Sequence, residues 1–310
     1  MMTRRTRAIA LLAPVLLLAA GYALLPAQWV GPWLLEANRA AMGFERTAID
    51  TSAGPVQAFV AGSGPPVLFV HGVYGRKEHW VDMARRMKDH YRVVLIDLPG
   101  FGENSPLPAG GYRLEQQAAR LAEIIADLGL GPVHLAANSM GAPIAALLAE
   151  QQPEAVASLA LIGGPLGVGS PVASDMDRAL RRGEYPLVVD SAEAFEARNA
   201  WLFPTEPFIP GPVLTYWTAA EVEQAALNRR IWAESQDLSH LPAIAPLLQQ
   251  MDRPLFVYWC QQDRIFNASG AAQFQNRHQT VVETPPDCGH LPMLDHSAAV
   301  AAAYLGFLSH

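Results

Sequence analysis

Three polar residues of the chain have the types and the placement that nucleophilic catalysis needs. Ser139 lies in the stretch "ANSMGA", where an apolar run typical of a strand meets a run typical of a helix. Asp263 and His290 lie in loops that follow two later predicted strands. A serine hydroxyl becomes a good nucleophile when a base takes its proton, and that base needs a carboxylate to orient it. The sequence therefore predicts Ser139 as nucleophile, His290 as base and Asp263 as the orienting acid.

Other residues could take these roles, but each of them fits less well. His296 begins the last predicted helix, and Asp287 is too close to His290 in the sequence to reach it from a neighbouring strand. The predicted strand at 157–163 is followed by no acid until Asp175. The Ser-Met-Gly turn is also compatible with an ordinary helix N-cap, so the prediction depends on all three residues together.

The same chemistry needs hydrogen-bond donors for the negative oxygen of a tetrahedral intermediate. A glycine-rich stretch, "HGVYG", follows the first buried strand, and the amide of Val73 can point inward from it. The amide of Met140, at the start of the helix after the candidate nucleophile, is the expected partner, because a helix N-terminus presents free N–H groups. We therefore expect Val73 and Met140 to form an oxyanion hole.

These residues need a rigid scaffold, and the pattern of the chain after about residue 45 predicts one. The predicted strands cover 56–61, 66–72, 91–100, 133–137, 157–163, 254–260 and 279–285. The predicted helices cover 78–88, 114–128, 143–151, 268–276 and 297–308. Continuous apolar strands separated by helices indicate an α/β protein with a mostly parallel, doubly wound sheet that is covered on both faces.

The alternation of strands and helices stops in the middle of the chain. Residues 165–246 are rich in Trp, Phe, Pro and Leu and contain no evident strand, which predicts a helical cap over the carboxyl ends of the sheet. The predicted division is an N-terminal stretch at 1–35, a core in two parts at 45–164 and 247–310, and the cap between those parts. The aromatic residues of the cap could line an acyl pocket or form the core of the cap itself.

The N-terminus has the layout of a membrane or export segment. Three arginines before residue 8 precede an uncharged stretch at 8–25, which as a helix spans roughly 27 Å, close to the bilayer core of about 30 Å. A retained single-pass anchor is the favoured interpretation, and a cleaved signal peptide with small residues at 19–21 is the alternative. Trp29 and Trp33 would suit the lipid headgroup layer.

Charge and composition set limits on location and partners. Because the arginines should stay in the cytoplasm, the rest of the chain is expected on the non-cytoplasmic side of the cell membrane, or secreted or periplasmic after cleavage. The 310 residues are 51% hydrophobic, carry a formal net charge of −7 and include only two lysines, so we expect no nucleic-acid partner. The His and Cys residues show no ligand spacing, and no phosphate loop is present; we therefore expect no metal and no organic cofactor.

Five motifs, taken in order, resemble the α/β-hydrolase superfamily over residues 55–308: "HGVYG", "DLPGFGENS", "ANSMGA", "QQDRIF" and "CGHLPML". The elbow departs from the G-x-S-x-G pattern only at Ala137, which adds one methyl group. The N-terminal segment, "NSMG", "QDRIFNASGA" and "CGHLPMLD" are most similar to membrane-anchored monoacylglycerol lipases and related bacterial lipases. This resemblance implies hydrolysis of lipid-like esters with Ser139, His290 and Asp263 as the triad.

Other members of the same superfamily provide the alternatives. Haloalkane dehalogenases and epoxide hydrolases use an aspartate nucleophile, so Ser139 argues against both. Carbon–carbon bond hydrolases of aromatic meta-cleavage products share the Asn-Ser-Met-Gly elbow, but they usually carry an aromatic residue where this chain has Leu291. A non-catalytic binding protein of the same fold is the third interpretation, although such members typically lack a triad residue.

The two cysteines lie close to the predicted acid and base. Cys260 precedes Asp263 by three residues, and Cys288 precedes His290 by two. An exported domain could join them in a disulfide if their Cα atoms lie within about 7 Å of each other. Buried free thiols are the favoured expectation from the sequence.

Overall fold

The structure, a computed structural model, describes residues 25–309 of the chain. The predicted apolar segment at 8–25 therefore lies outside the described residues except for Leu25. Within the described range, no helix has both the length and the apolar character needed to cross a membrane.

An eight-stranded sheet forms the centre of the fold. Its strands are β1 (Glu45–Ile49), β2 (Val56–Ala61), β3 (Pro66–Val70), β4 (Arg92–Ile96), β5 (Val133–Ala137), β6 (Val156–Ile162), β7 (Leu255–Tyr258) and β8 (Thr280–Glu283). The spatial order is β1-β2-β4-β3-β5-β6-β7-β8. Strand β2 pairs antiparallel with β1 and β4, and every other pair is parallel. The predicted mostly parallel sheet is confirmed.

Helices cover both faces of this sheet. They are α1 (Ala27–Ala41), α2 (Val81–Ala84), α3 (Leu114–Asp127), α4 (Gly141–Gln151), α5 (Asp175–Arg181), α6 (Ala192–Leu202), α7 (Gly211–Glu223), α8 (Ala225–Ser235), α9 (Ile244–Gln250), α10 (Pro292–Asp295) and α11 (Ser297–Leu308). Because side chains alternate along a strand, Leu68 and Val70 pack with α3, α4 and α9, whereas Val67 and Phe69 pack with α2 and α11.

Two predicted helices form shorter structures. The helix predicted at 268–276 is a 3₁₀ helix, Ala268–Phe274, in a segment where a Cβ on Gly270 would lie 2.5 Å from the Trp259 ring. The helix predicted at 78–88 is divided into a 3₁₀ turn, Lys77–Trp80, and the single turn α2. At the start of that turn the backbone N–H of Lys77, which has no acceptor within the turn, donates to Asp97 at 2.8 Å.

Helices α5 to α9 lie between β6 and β7. Helices α5 to α8 lie in the segment predicted as a cap, whereas α9 begins in it and ends four residues beyond it, at Gln250. We call residues 165–246 the helical insertion. No strand forms within it. Its helix α6 contacts the sheet side of the molecule, because the backbone N–H of His290 donates to the Leu202 carbonyl at 2.9 Å. The division of the chain into domains stays a prediction.

Helix α1 packs against α7 of the helical insertion. A Cβ on Gly31 would lie 2.6 Å from the Cβ of Tyr216, so the two helices can approach this closely only with glycine at that position. The opposite side of α1 presents Trp29 and Trp33, which are 66% and 58% exposed. Helix α1 therefore has one side that packs and one large aromatic surface that does not.

A buried cluster of charges connects the sheet to α1. The Nζ atom of Lys77 lies 2.8 Å from Asp97, 2.9 Å from Glu78 and 3.0 Å from Glu103. Burial alone would lower the pKa of Lys77, but Glu78 and Asp97 outweigh that effect and raise the pKa. The ion pairs continue from Glu103 to Arg46, which also pairs with Glu36 of α1.

We predict that Lys77→Met destabilises the protein strongly, because it leaves buried carboxylates without their cation. Removing one partner of a buried ion pair typically costs about 3–5 kcal/mol of unfolding free energy. Urea unfolding at pH 7 measures the change. Lys88→Met is the matched control, since Lys88 is only partly buried and donates to one backbone carbonyl, Met42 O. An equal loss of stability in both variants would contradict the prediction that the buried ion pairs of Lys77 contribute strongly to the free energy of unfolding.

Candidate active site

Ser139 occupies a strained turn directly after β5. Its φ is 53°, in the left-handed region that residues with a side chain rarely adopt. The Ser139 carbonyl accepts from the Ala142 N–H at 3.1 Å and from the Leu166 N–H at 3.2 Å. Such a turn between strand and helix is the geometry of a nucleophile elbow, and it matches the conformation expected from the sequence motif.

Two glycines allow the elbow to pack against the end of β3. A Cβ on Gly141 would lie 2.7 Å from the Val70 carbonyl oxygen. A Cβ on Gly72 would lie 2.9 Å from the Cβ of Ser139. Contacts this short leave no room for a side chain at either glycine. The elbow and the glycine-rich loop therefore lie against each other.

Asp263 and His290 form a buried pair. The Nδ1 atom of His290 lies 2.9 Å from Asp263 Oδ2, and their side chains are 3% and 0% exposed. The same Oδ2 accepts from the Gly164 N–H at 3.0 Å. The other oxygen, Oδ1, accepts from the N–H groups of Ile265 and Phe266. Three backbone N–H groups and the imidazole bind this carboxylate. Together they hold it in one orientation toward His290.

The backbone around His290 is fixed from several directions. Asn138, the residue before the candidate nucleophile, donates from Nδ2 to the carbonyls of Ile162 at 2.7 Å and His290 at 3.1 Å. Asp295 accepts from the Gly289 N–H at 2.9 Å, and burial raises the pKa of this carboxyl to about 6. Asn138 and Asp295 therefore position the histidine loop, a role that their sequence motifs did not reveal.

Ser139 and His290 line one cavity of about 50 Å³, together with Gly72 and Val73. No hydrogen bond joins Ser139 to His290 across residues 25–309. Contacts of this kind are often long in enzymes without substrate and shorten in the substrate complex. The structure therefore brings all three predicted residues to one site, with the acid and the base in direct contact.

The predicted oxyanion donors lie at the same site. Val73 lines the cavity, and Met140 directly precedes α4, whose first residue is Gly141. In the part of the chain that the structure describes, neither the Val73 amide nor the Met140 amide donates a hydrogen bond to a protein acceptor. Val73 and Met140 therefore stay the predicted oxyanion donors.

His71 supports the glycine-rich loop, a role that was not predicted from the sequence. It is fully buried; its Nδ1 lies 2.7 Å from the Gly72 carbonyl, and its Nε2 lies 2.9 Å from the Leu98 N–H. Burial lowers its pKa to about 4, so the ring is neutral near pH 7. The neutral ring can donate from Nδ1 and accept at Nε2 at the same time. The sequence signal for this role was a polar residue, His71, at the end of a buried strand.

His296 and Asp175, which the sequence offered as alternatives, are bound to other residues. His296 Nδ1 is 3.1 Å from the Tyr258 hydroxyl. Asp175 pairs with Arg264 at 2.6 Å and with Arg178 at 2.5 Å. Within residues 25–309, no three His, Cys, Asp or Glu side chains are grouped so that they could hold a metal ion.

The two cysteines form a disulfide, so the expectation of free thiols was wrong. The Cys260 and Cys288 sulfurs are bonded at 2.01 Å, with Cα atoms 5.3 Å apart. The physical reason is that β7 and β8 are hydrogen-bonded neighbours in parallel register, which brings the residues just beyond their ends within bonding distance. The bond connects the loops that carry Asp263 and His290.

Fold and site together define the class of protein. The family model described as alpha/beta hydrolase fold matches residues 65–297. The chain therefore belongs to the α/β-hydrolase family, and the family and fold class predicted from the motifs are confirmed. It is an enzyme of the hydrolase class, as predicted.

The most similar proteins include lipases. The chain is 27% identical over 249 residues to Lipase 1 of Psychrobacter immobilis, covering 80% of this chain and 78% of that protein. It is 25% identical over 258 residues to a monoacylglycerol lipase of Xenopus laevis, covering 80% and 76%. A crystal structure of a membrane phospholipase A, described as a bacterial virulence factor, matches with a TM-score of 0.85 and 32% identity over 98% of both chains. These matches support an α/β hydrolase of the lipase and esterase type.

We predict that Gly164→Ala impairs the site without unfolding the protein. A Cβ on Gly164 would lie 2.6 Å from the Cβ of Phe266 and 2.8 Å from Asp263 Oδ2, so the loop that carries Asp263 must shift, which disturbs the contact between the carboxylate and His290. Small displacements of catalytic groups reduce turnover by on the order of 10- to 100-fold. Hydrolysis of p-nitrophenyl butyrate measures the loss. Gly169→Ala is the matched control, because its Cβ would meet no atom within 4 Å; equal activity of the two variants would disprove the prediction.

We predict that His71 makes stability depend on pH between about 6.5 and 4. The unfolded chain binds a proton at this histidine below its ordinary pKa of 6.5, whereas the folded chain does so only below about 4. Its contribution is therefore complete above pH 6.5 and is lost as the pH falls toward 4, by about 2 kcal/mol between pH 7 and pH 5.

Urea unfolding at pH 7 and pH 5 tests this prediction with wild type and His71→Gln, which cannot titrate. Every other titratable group contributes to both proteins, so the difference between their pH slopes belongs to His71. We expect the variant to lose about 2 kcal/mol less than wild type over this interval. Parallel pH slopes would show that the residue is not held neutral in the folded state.

Proposed function

We propose that the protein hydrolyses carboxylic esters of lipid-like substrates, of the monoacylglycerol lipase and esterase type, with Ser139 as nucleophile, His290 as base and Asp263 as its orienter. The observation that carries the proposal is the buried His290–Asp263 contact at 2.9 Å beside a serine at a φ of 53°. A helix N-cap serine requires neither feature. Both are what a triad on this fold requires.

The first half of the reaction forms an acyl-enzyme. Ser139 Oγ attacks the ester carbonyl carbon while its proton passes to Nε2 of His290. Asp263 accepts the Nδ1–H bond, which holds the ring in the tautomer with Nε2 free and stabilises the imidazolium that forms. The carbonyl oxygen becomes an oxyanion that accepts from the Val73 and Met140 amides. The bond to the alcohol then breaks, and His290 returns the proton to the leaving oxygen.

The second half releases the acid. A water molecule gives its proton to His290 and attacks the acyl carbon, and the same two amides of the oxyanion hole receive the negative charge. The bond to Ser139 breaks, and the imidazolium returns the proton to Oγ. Each oxyanion donor of this kind is typically worth about 3–4 kcal/mol in the transition state. No metal or organic cofactor enters either half of the reaction.

The lining of the site favours a lipid-like substrate. Leu187, Leu202 and Leu291 line the cavity that contains Ser139, beside the polar side chains of His79 and Arg198. The leucine part of this wall stabilises hydrocarbon. The lipase names of the relatives support the same substrate class for this chain.

The proposal includes association with the membrane through the N-terminal segment. The uncharged stretch at 8–25 and the exposed indoles of Trp29 and Trp33 support it. In the favoured arrangement the segment is a single-pass anchor, and the hydrolase part lies on the non-cytoplasmic side. Cleavage of the segment would instead leave a secreted or periplasmic enzyme.

Hydrolysis of p-nitrophenyl esters from acetate to palmitate by the detergent-solubilised full chain tests the activity. We expect Ser139→Ala to lose turnover by a factor on the order of 10⁴ to 10⁶, as in other serine triads. Ser239→Ala is the matched control, since its hydroxyl is exposed and contacts only Asp237. A folded wild type that cleaves none of these esters would overturn ester hydrolysis, and aromatic meta-cleavage products would then be tested.

A further inference from the structure

The glycine-rich loop after β3 contains a tight turn. The Gly75 N–H donates to the Gly72 carbonyl at 3.0 Å, so the four residues from Gly72 form a β-turn with Val73 and Tyr74 in its middle. Tyr74 has a φ of 56°, in the left-handed region that favours glycine. A tyrosine keeps such a conformation only where surrounding contacts fix it. Relaxation of Tyr74 would rotate the backbone next to Val73, the predicted oxyanion donor.

The hydroxyl of Tyr74 makes a contact that can fix this conformation. It donates to the backbone carbonyl of Asn228, in α8 of the helical insertion, at 2.7 Å, and the two residues are 154 positions apart in the chain. Burial and the nearby Glu221 carboxylate raise the pKa of Tyr74 well above its usual range, so the hydroxyl keeps its proton and remains a donor. An element outside the sheet therefore holds the third residue of the turn.

The acceptor of this hydrogen bond is itself fixed. Asn228 is 3% exposed, and its Nδ2 atom donates to the carbonyls of Val189 at 3.0 Å and Glu221 at 2.9 Å. These bonds join α8 to the last turn of α7 and to the segment between α5 and α6. The carbonyl that Tyr74 contacts is therefore held by three parts of the helical insertion.

Packing alone holds Tyr74 less firmly than it holds a core residue. Tyr74 is only partly buried. It lines the cavity that contains Ser139 and also a cavity of about 190 Å³ whose wall includes Asn228. Van der Waals contacts are missing where a side chain faces a cavity. The hydrogen bond to α8 is therefore the contact that sets the position of the tyrosine.

We propose that the Tyr74 hydroxyl is a positioning group for the oxyanion hole, and that through it the helical insertion supports the catalytic site. In this arrangement α8 holds Tyr74, Tyr74 holds the turn, and the turn presents the Val73 amide to the oxyanion. Tyr74 acts through Val73 and not by contact with the reacting atoms. This inference rests on the proposed ester hydrolysis and adds a residue on which its rate depends.

Tyr74→Phe in the detergent-solubilised full chain tests the proposal, because it removes the hydroxyl and keeps the ring. The oxyanion is absent from the bound ester, so we expect kcat for p-nitrophenyl butyrate to fall by about 10- to 100-fold while KM changes by less than about twofold. Tyr91→Phe is the matched control. Its hydroxyl also donates to a backbone carbonyl, Leu308 O at 3.2 Å, but Tyr91 precedes the amino end of β4, so this variant should keep the wild-type kcat.

Inhibition by hexyl trifluoromethyl ketone tests the oxyanion hole separately from turnover. Ser139 Oγ adds to the carbonyl carbon of this compound, the serine proton passes to His290, and the carbonyl oxygen becomes an oxyanion. Because such an adduct resembles the transition state, we expect the Ki for Tyr74→Phe to rise by about the factor by which kcat/KM falls. A loss of folded protein would instead lower the concentration of active sites without changing Ki.

The contact can also be tested from the side of the insertion. Asn228→Ala removes the two side-chain bonds that fix the acceptor carbonyl, and we expect it to lower kcat by about three- to tenfold with KM unchanged. The double variant with Tyr74→Phe should lose no more than Tyr74→Phe alone, because both changes break one connection. A wild-type kcat in Asn228→Ala, or a double loss equal to the product of the two single losses, would overturn the connection to the insertion.

The outcomes separate this proposal from ester hydrolysis itself. If wild type cleaves no p-nitrophenyl ester, the proposed function fails. If wild type is active and Tyr74→Phe keeps the wild-type kcat and Ki, or raises KM at constant kcat, the positioning role is overturned and ester hydrolysis stands. An equal loss of kcat in Tyr91→Phe would also overturn the positioning role. Should Tyr74→Phe fail to fold, Asn228→Ala decides.

Discussion

The close approach of backbone at Ser139 is the constraint on which the rest of the site depends. The turn holds a non-glycine residue at a φ of 53°, a conformation that persists only where its surroundings fix it. Gly72 and Gly141 supply that fixation, because any side chain at either position would meet β3 or the elbow within 3 Å. The same contacts hold Gly72 and Ser139, the residues before Val73 and Met140, against each other. One packing arrangement therefore sets both the nucleophile and the candidate oxyanion donors.

Hydrogen bonds hold two further polar groups of the site, Asp263 and His71, in place. Asp263 receives four N–H donors, and the neutral ring of His71 uses both of its nitrogens. The disulfide fixes the relative position of the two loops that bear the acid and the base.

Much of the fold and the predicted site could be read from local sequence. The buried strands are short apolar runs, and Ser139, Asp263 and His290 each lie in a loop just after such a run, so parallel topology alone brings them to one edge of the sheet. Strand β1 was missed because it is a charged, largely exposed edge strand, "ERTAI". The disulfide was misjudged because it depends on a Cα distance that spacing does not give. The hydrogen bond from Gly164 to Asp263 joins residues that are 99 positions apart in the chain, and no local pattern encodes it.

The most direct test of the central claim is covalent labelling of the full chain with a fluorophosphonate, followed by mass spectrometry of its peptides. Such reagents react with a serine whose proton a neighbouring base can take. We predict one phosphonylated residue, Ser139, in the folded wild type, and strongly reduced labelling of the same peptide in His290→Gln. Absence of label from Ser139 in folded protein, or unchanged labelling without the histidine, would contradict an activated nucleophile at this elbow.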